Sequence, residues 1–201
     1  MSILNEGMWP LRRSNRVAIT GSAYTECMTG KEFFGAVANG RVDMVELLLE
    51  LLRNAEAAYA VLGGLAVNAY ADPVVSLDLD LVVVADRIDA VVATAEGRGM
   101  KVERFPHSVN LSMTGSDLRI QLQTDPRYQE FLERAALREV LGYHMQVAAL
   151  DDVVRGKLWA YSDSARRRSK RQKDLADLMR LAESNPEVRT MLPAEIVAEL
   201  E

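Results

Sequence analysis

The sequence predicts an α+β fold, a mixed sheet flanked by helices and followed by a helical C-terminal region. Three observations carry this reading. Residues 41–58 place Met44, Val45, Leu48, Leu51, Leu52 and Ala55 at the helical period. Between residues 76 and 123 short stretches alternate apolar and polar side chains, with turn signals between them. Beyond Leu150 the pattern is helical throughout. At 201 residues the chain is long enough to bury a sizeable core.

Residues 1–40 form an N-terminal arm in which Arg16 to Thr20 is the one candidate strand, and contact with another subunit stays open for it. The 41–58 helix is followed by the stretch 59–70, in which Gly63 and Gly64 open an apolar helix over residues 65–70 that Asp72-Pro73 ends. Ser76 to Val84 is a strand. Its spacing puts Asp78 and Asp80 on one face, with Leu77, Leu79 and Leu81 directed to the core. The apolar run 81–84 marks it as central in the sheet. Asp86 is expected to cap a helix carrying Ile88, Val91, Val92 and Ala95. Strands are expected at 101–105, 109–113 and 118–123, the last two joined by the 114–117 turn. A helix over 126–137 and a strand over 143–148 close this region. Asp151 or Asp152 is expected to cap a helix containing Lys157; the basic run 166–173 then leads into a helix, and Pro193 starts a short last one.

Composition narrows the function. A net charge of −5 excludes a surface that is basic throughout, while leaving room for a local basic patch. Cys27 is the only cysteine, so no internal disulfide can form and a cysteine-based zinc site is not expected. Residues 1–9 include Glu6 and no sustained apolar stretch, so no signal peptide is expected. The run 57–71 is too short and too interrupted to span a bilayer, which gives a cytoplasmic expectation with no membrane partner. His107 and His144 stand alone, and no Ser-His-Asp or Cys-His arrangement suggests hydrolysis.

Asp78 and Asp80 are the strongest chemical signal. Two carboxylates side by side on a strand repel, and a divalent cation removes the repulsion, so magnesium is the expected cofactor. Their simplest alternative is two exposed aspartates on a strand edge, which the apolar run after them disfavours.

Gly63-Gly64 followed by Asp78-Leu79-Asp80 resembles the signature of the nucleotidyltransferase superfamily that includes DNA polymerase beta. The chain more specifically resembles the nucleotidyltransferase toxins of abortive-infection toxin–antitoxin systems, because Lys157 and Lys173-Asp174-Leu175-Ala176-Asp177 follow in the same order. The resemblance covers roughly residues 59–181 and divides the chain into the arm, a nucleotidyltransferase-like core over 41–149, and a C-terminal region over 150–201 that completes a cleft.

It implies transfer of a nucleoside monophosphate from a triphosphate to an acceptor hydroxyl. Asp78 and Asp80 would hold one or two Mg2+ ions, and Gly63, Gly64 and Ser76 would lie at the triphosphate. Lys157 would be catalytic, with Lys173 and Asp174 contacting nucleotide. Acceptors in view are RNA such as tRNA, a protein side chain or a small-molecule hydroxyl; a cognate antitoxin protein is the implied partner. The six positive charges in the run Arg166–Lys173 suit RNA or triphosphate, and equally a solvated helix start. Asp174 and Asp177 have a simpler reading as partners of Arg171 or Arg180. Trp159 or Tyr161 could stack on a base.

Two departures are visible. The neighbouring strand that carries a third carboxylate in the superfamily offers Gln121 and Gln123 here, with Asp117 and Asp125 only flanking it. Val74 stands where relatives place a basic residue. These departures motivate the alternative of a catalytically weakened nucleotide-binding or regulatory module.

Overall fold

The computed structural model describes residues 16–18 and 27–200. Its order is β1 (Arg16–Ala18), β2 (Cys27–Thr29), α1 (Gly30–Val37), α2 (Met44–Asn54), β3 (Tyr59–Leu62), α3 (Gly63–Val67), β4 (Asp78–Val83), α4 (Ile88–Gly97), β5 (Lys101–Phe105), β6 (Ser108–Ser112) and β7 (Arg119–Gln123). A 3₁₀ segment (Pro126–Arg134) leads to β8 (Ala136–Val140) and β9 (Tyr143–Val147). The C-terminal region is α5 (Leu150–Ser162), α6 (Arg168–Ser184), a 3₁₀ segment (Pro186–Met191) and α7 (Ala194–Ala198).

β1 and β2 pair antiparallel by themselves; of the expected 16–20 strand, residues 19 and 20 lie outside the described residues. The main sheet has seven strands in the order β5-β6-β7-β4-β3-β9-β8. It is mixed: β4 runs parallel to β7 and β3 parallel to β9, and the remaining pairs are antiparallel. The α+β expectation is met, and β4 is the middle strand, as its apolar half indicated.

Local chemistry accounts for the elements. Asp43 accepts a hydrogen bond from the Glu46 N–H and starts α2, whose residues Val45, Leu48, Leu49 and Leu52 are buried. In β4, Leu79, Leu81 and Val83 are buried on one side while Asp78 and Asp80 face a cleft. Leu77, expected in the core beside them, is only partly buried because it precedes the strand. β7 repeats the alternation: Leu118, Ile120 and Leu122 are buried, with Arg119, Gln121 and Gln123 on the cleft side.

Several expectations need correction. Tyr59–Leu62 is a strand, buried over Ala60, Val61 and Leu62. Its apolar continuity with the following helix hides the boundary, because periodicity cannot separate short buried strands from helices. The helix after it is shorter than predicted and closes at Val67 before Asp72-Pro73 is reached. Asp86 lies in a 3₁₀ turn (Ala85–Arg87), and α4 has no side-chain cap. The 126–137 helix is a 3₁₀ segment that ends at Arg134, and residues 136–140 form edge strand β8. The α5 helix also lacks a side-chain cap. Asp152 is fully buried and held by Arg134 through bonds of 2.9 and 2.7 Å.

Candidate active site

β3 ends at Leu62, which pairs with Asp80 of β4, and the chain then turns sharply into α3. The turn is made by Gly63 with φ +64°. A Cβ at this position would overlap Oδ2 of Asp80 and lie 3.0 Å from its Cγ. Both the backbone conformation and the space therefore require glycine. The glycine pair and the aspartate pair, fifteen residues apart, form one corner of the structure.

That corner opens into a cleft of about 370 Å³. Asp78, Asp80, Gly63, Gln121 and Asn110 line its sheet side; Lys157, Asp174, Arg166, Arg167 and Lys170 come from α5, α6 and the segment between them. The structure thus brings Asp78, Asp80, Gly63, Lys157 and Asp174 together. Gly64, Ser76 and Lys173 stand together beside them. The Lys173 Nζ is 3.5 Å from the Ser76 hydroxyl oxygen, and a Cβ at Gly64 would lie 3.7 Å from that same Nζ. The loop before Ser76 is fixed by Asn68, which donates to the Val74 carbonyl (2.8 Å) and accepts from the Val74 N–H (2.9 Å). Arg180 binds both Asn68 and the Asp72 carbonyl. Val74, in the place of an expected basic residue, is exposed.

Lys157 is 6% exposed, and its ammonium bridges Asp174 (3.0 Å) and Asp177 (2.6 Å). Arg166 takes the other oxygen of Asp174, and Arg180 the other oxygen of Asp177. Asp174 and Asp177 are one helical turn apart, so one face of α6 clamps a lysine of α5. Asp174 is therefore committed to Lys157 and Arg166. The simpler reading of the two aspartates holds for the Asp177–Arg180 pair, whereas Arg171 donates to the Tyr161 carbonyl instead.

The two central carboxylates differ in their surroundings. Asp78 pairs with Arg119, its register neighbour on β7, at 2.7 Å, and Lys170 lies 3.6 Å away. Asp80 makes no ion pair with a described residue. Enclosure by protein raises its carboxyl above the ordinary value, opposed first by the field of Lys157, reinforced by Asp78, and opposed again by Lys173 and Arg166.

Gln121 stands beside Asp80 in the β4–β7 register, and Asn110 stands beside Gln121 in the β6–β7 register. The row across the sheet is therefore carboxylate, amide, amide. The buried Oδ1 of Asn110 has no hydrogen-bond partner among the described residues. Asp117 is exposed in the loop ahead of β7, and Asp125 is bound by Arg127, so neither enters the cleft. Among the described residues no three carboxylate, histidine or cysteine groups converge as a metal cage.

Trp159 is not free to stack on a base: it stacks on Phe131 at 5.7 Å and meets Tyr128 edge-on. Tyr128 and Phe131 line the cleft instead. Together with Arg119 and Asn110 they are lining residues to which sequence reasoning gave no role, whereas Arg167 belongs to the basic run it had singled out. The polar alternation of β7 already carried Arg119. Asn110 needed the β6–β7 register, which only strand pairing supplies.

No protein-family model matches this chain, and no curated protein matches it in sequence. Solved structures do. The antibiotic-resistance factor ANT(2'')-Ia aligns with a TM-score of 0.51 at 16% identity, over 78% of this chain and 86% of that one. The fold is that of nucleotidyltransferases. The lincosamide antibiotic adenylyltransferase LnuA aligns at a TM-score of 0.50 and 13% identity, over 71% of this chain and 99% of that one. An antigenic nucleotidyltransferase-like protein from Paracoccidioides brasiliensis aligns at 0.50 and 18% identity, over 83% and 88%. At such identities the nucleotidyltransferase likeness is one of architecture. The described residues include no helix long and apolar enough to cross a membrane.

Proposed function

We propose that the protein is a magnesium-dependent nucleotidyltransferase that moves a nucleoside monophosphate from a triphosphate to an acceptor. The observation that carries this reading is the convergence, in one cleft, of Asp78 and Asp80 with Gly63 and Lys157. The oxygen donors of Asp78 and Asp80 suit a hard cation that keeps its remaining positions for water and substrate phosphate. Bound there, Mg2+ would neutralise phosphate charge and polarise the α-phosphate.

The chain's own residues do the positioning. Gly63 admits close approach at the Asp80 corner. Ser76, the Gly64 backbone and the Lys173 ammonium form a second polar cluster for the β- and γ-phosphates. The five-residue α3 brings little dipole of its own, so Lys173 supplies the charge there. Lys157, fixed by Asp174 and Asp177, holds a positive charge beside Asp80. An acceptor oxygen attacks the α-phosphorus, a P–O bond forms, the bond to the β-phosphate bridge breaks, and pyrophosphate leaves.

The basic run divides by position. Arg166, Arg167 and Lys170 line the cleft, and Lys173 reaches Ser76, which favours phosphate within the cleft over a separate RNA surface. RNA, protein and small molecules remain the acceptors to test, and an antitoxin partner rests on the sequence resemblance alone. The place of Gln121 beside Asp80 favours a second reading, a nucleotide-binding module without turnover. Incubation with labelled triphosphates, magnesium, and tRNA and protein pools, beside an Asp78→Ala control, separates the two. Magnesium-dependent labelling absent from the control is the expected result. Nucleotide binding without any transfer would establish the module.

A further inference from the structure

The nucleotide and the acceptor have different sides of β4 available to them. β3 and its glycine turn flank Asp80 on one side, with the Ser76–Lys173 cluster close by; β7 and β6 flank it on the other. A triphosphate on the glycine side leaves the acceptor to the β7–β6 side. The side chains waiting there are Arg119, Gln121 and Asn110.

A neutral hydroxyl attacking phosphorus must lose a proton, and its pKa lies far above neutrality, so a base has to take it. Among the described residues the cleft carries four carboxylates: Asp78, Asp80, Asp152 and Asp174. Asp152 is consumed by Arg134, and Asp174 by Lys157 and Arg166. Asp78 and Asp80 hold the cation in the reading above, on which this inference rests. No histidine or glutamate lines the cleft among the described residues. On the acceptor side the register neighbours of Asp80 are two amides, which cannot take a proton at neutral pH. An amide adds no negative charge beside Asp80 and offers N–H donors. Arg119, largely exposed and paired through one guanidinium nitrogen with Asp78 at 2.7 Å, adds a cation two residues along the same face, and Arg167, which makes no ion pair with a described residue, adds another to the cleft.

We propose that the acceptor's attacking group is an oxyanion already ionised at neutral pH, a phosphate monoester or a carboxylate, seated among Arg119, Gln121 and Asn110. Its oxygen bonds to the α-phosphorus as pyrophosphate departs, and no proton has to move. A phosphate acceptor yields a pyrophosphate-linked product, and a carboxylate yields an acyl phosphate. The unpartnered Asn110 oxygen is placed to accept from a hydroxyl or amine next to the reacting group.

The test uses the full chain with magnesium and the four ribonucleoside triphosphates. Acceptors are glycerol, glycerol 2-phosphate and glycerate at equal concentration, and an RNA oligonucleotide ending in a 3′-hydroxyl or a 3′-phosphate. Pyrophosphate release gives the rate. Phosphorus NMR distinguishes a P–O–P product from a phosphodiester, and hydroxylamine traps an acyl phosphate. The expected result is at least a tenfold preference for the ionised acceptor within a pair, with a rate flat in pH above the acceptor's own last pKa. Gln121→Glu should reverse the preference by restoring a base and repelling the anion. Equal or faster transfer to hydroxyls by the unaltered protein, with a rate that climbs with pH, would overturn the acceptor assignment and leave nucleotidyl transfer standing. Triphosphate binding with no pyrophosphate from any acceptor would overturn the transferase reading and this assignment with it.

Discussion

Gly63→Ala isolates the corner on which the site is built. Two costs follow from the geometry. An alanine at φ +64° sits in the left-handed region, which costs about 1–2 kcal/mol. Its methyl would also overlap Asp80 Oδ2, so the carboxylate has to rotate or β4 has to shift. For a chain of this size each kcal/mol lowers Tm by about 2–4 °C, so a drop of about 2–8 °C is expected from the backbone alone. The effect on transfer should be larger, because Asp80 would leave its position beside Lys157: displacement of a reacting group by about 1 Å costs on the order of 100-fold in rate. The assays are thermal unfolding with and without magnesium, and magnesium-dependent pyrophosphate release. A variant with unchanged magnesium response and a rate within about threefold of the parent would refute the assignment of Asp80 to the cation.

Three further outcomes are expected. The raised Asp80 carboxyl means that the folded chain keeps a proton the unfolded chain has already lost just above the ordinary carboxylate range, so without a divalent cation stability falls as pH rises through that interval. Asp80→Asn should then unfold at a higher temperature than the parent near neutrality in chelator, with the advantage vanishing in acid, and added magnesium should raise Tm for the parent alone. Lys173→Gln removes a charge-assisted contact worth about 1.5–3 kcal/mol, so a fluorescent triphosphate should bind about 10- to 100-fold more weakly at low salt, with a shallower salt dependence. Lys157→Met leaves two buried carboxylates without their shared cation and should cost about 3–5 kcal/mol in urea unfolding, a loss that Lys157→Met with Asp177→Leu partly restores.

The parts of the fold legible in the sequence are those governed by one local rule. Alternation placed Asp78 and Asp80 on one face of a central strand, and it separated Arg119, Gln121 and Gln123 from the leucines of β7. Tyr59–Leu62 escaped because a strand buried on both sides and a helix of small residues share one continuous apolar pattern. β8 escaped for a different reason. As an exposed edge strand it has four exposed residues and no period to read. The cap expectation for α5 failed because the helix starts earlier than its aspartates: Ala149 holds the cap position, Asp152 lies in the first turn, and Arg134 binds both of its oxygens. The order of Gly63, Asp78, Lys157 and Asp174 along the chain was readable, whereas the commitment of Asp174 to Lys157 depends on how α5 packs on α6.

That commitment changes what the C-terminal region does. Lys157 could have been a solvated lysine reaching into the cleft. Instead two carboxylates hold one buried ammonium, and each carboxylate also binds an arginine. A buried ionic cluster of this kind gains little stability over apolar side chains of the same volume, because desolvation offsets attraction. What it fixes is position. Lys157 cannot swing away without breaking its bonds to Asp174 and Asp177, which holds its charge in the cleft that Asp80 also lines. The same cluster reaches the Ser76 side through Arg180, which ties Asp177 to Asn68 and to the loop leading to Ser76. One face of α6 thereby sets the lysine at the carboxylates and the loop that carries the serine, and with Lys173 it brings a cation to that serine. Gln121 lies outside this framework, beside Asp80 on β7, so in the proposed reading it bears on the acceptor and leaves the nucleotide's place unchanged.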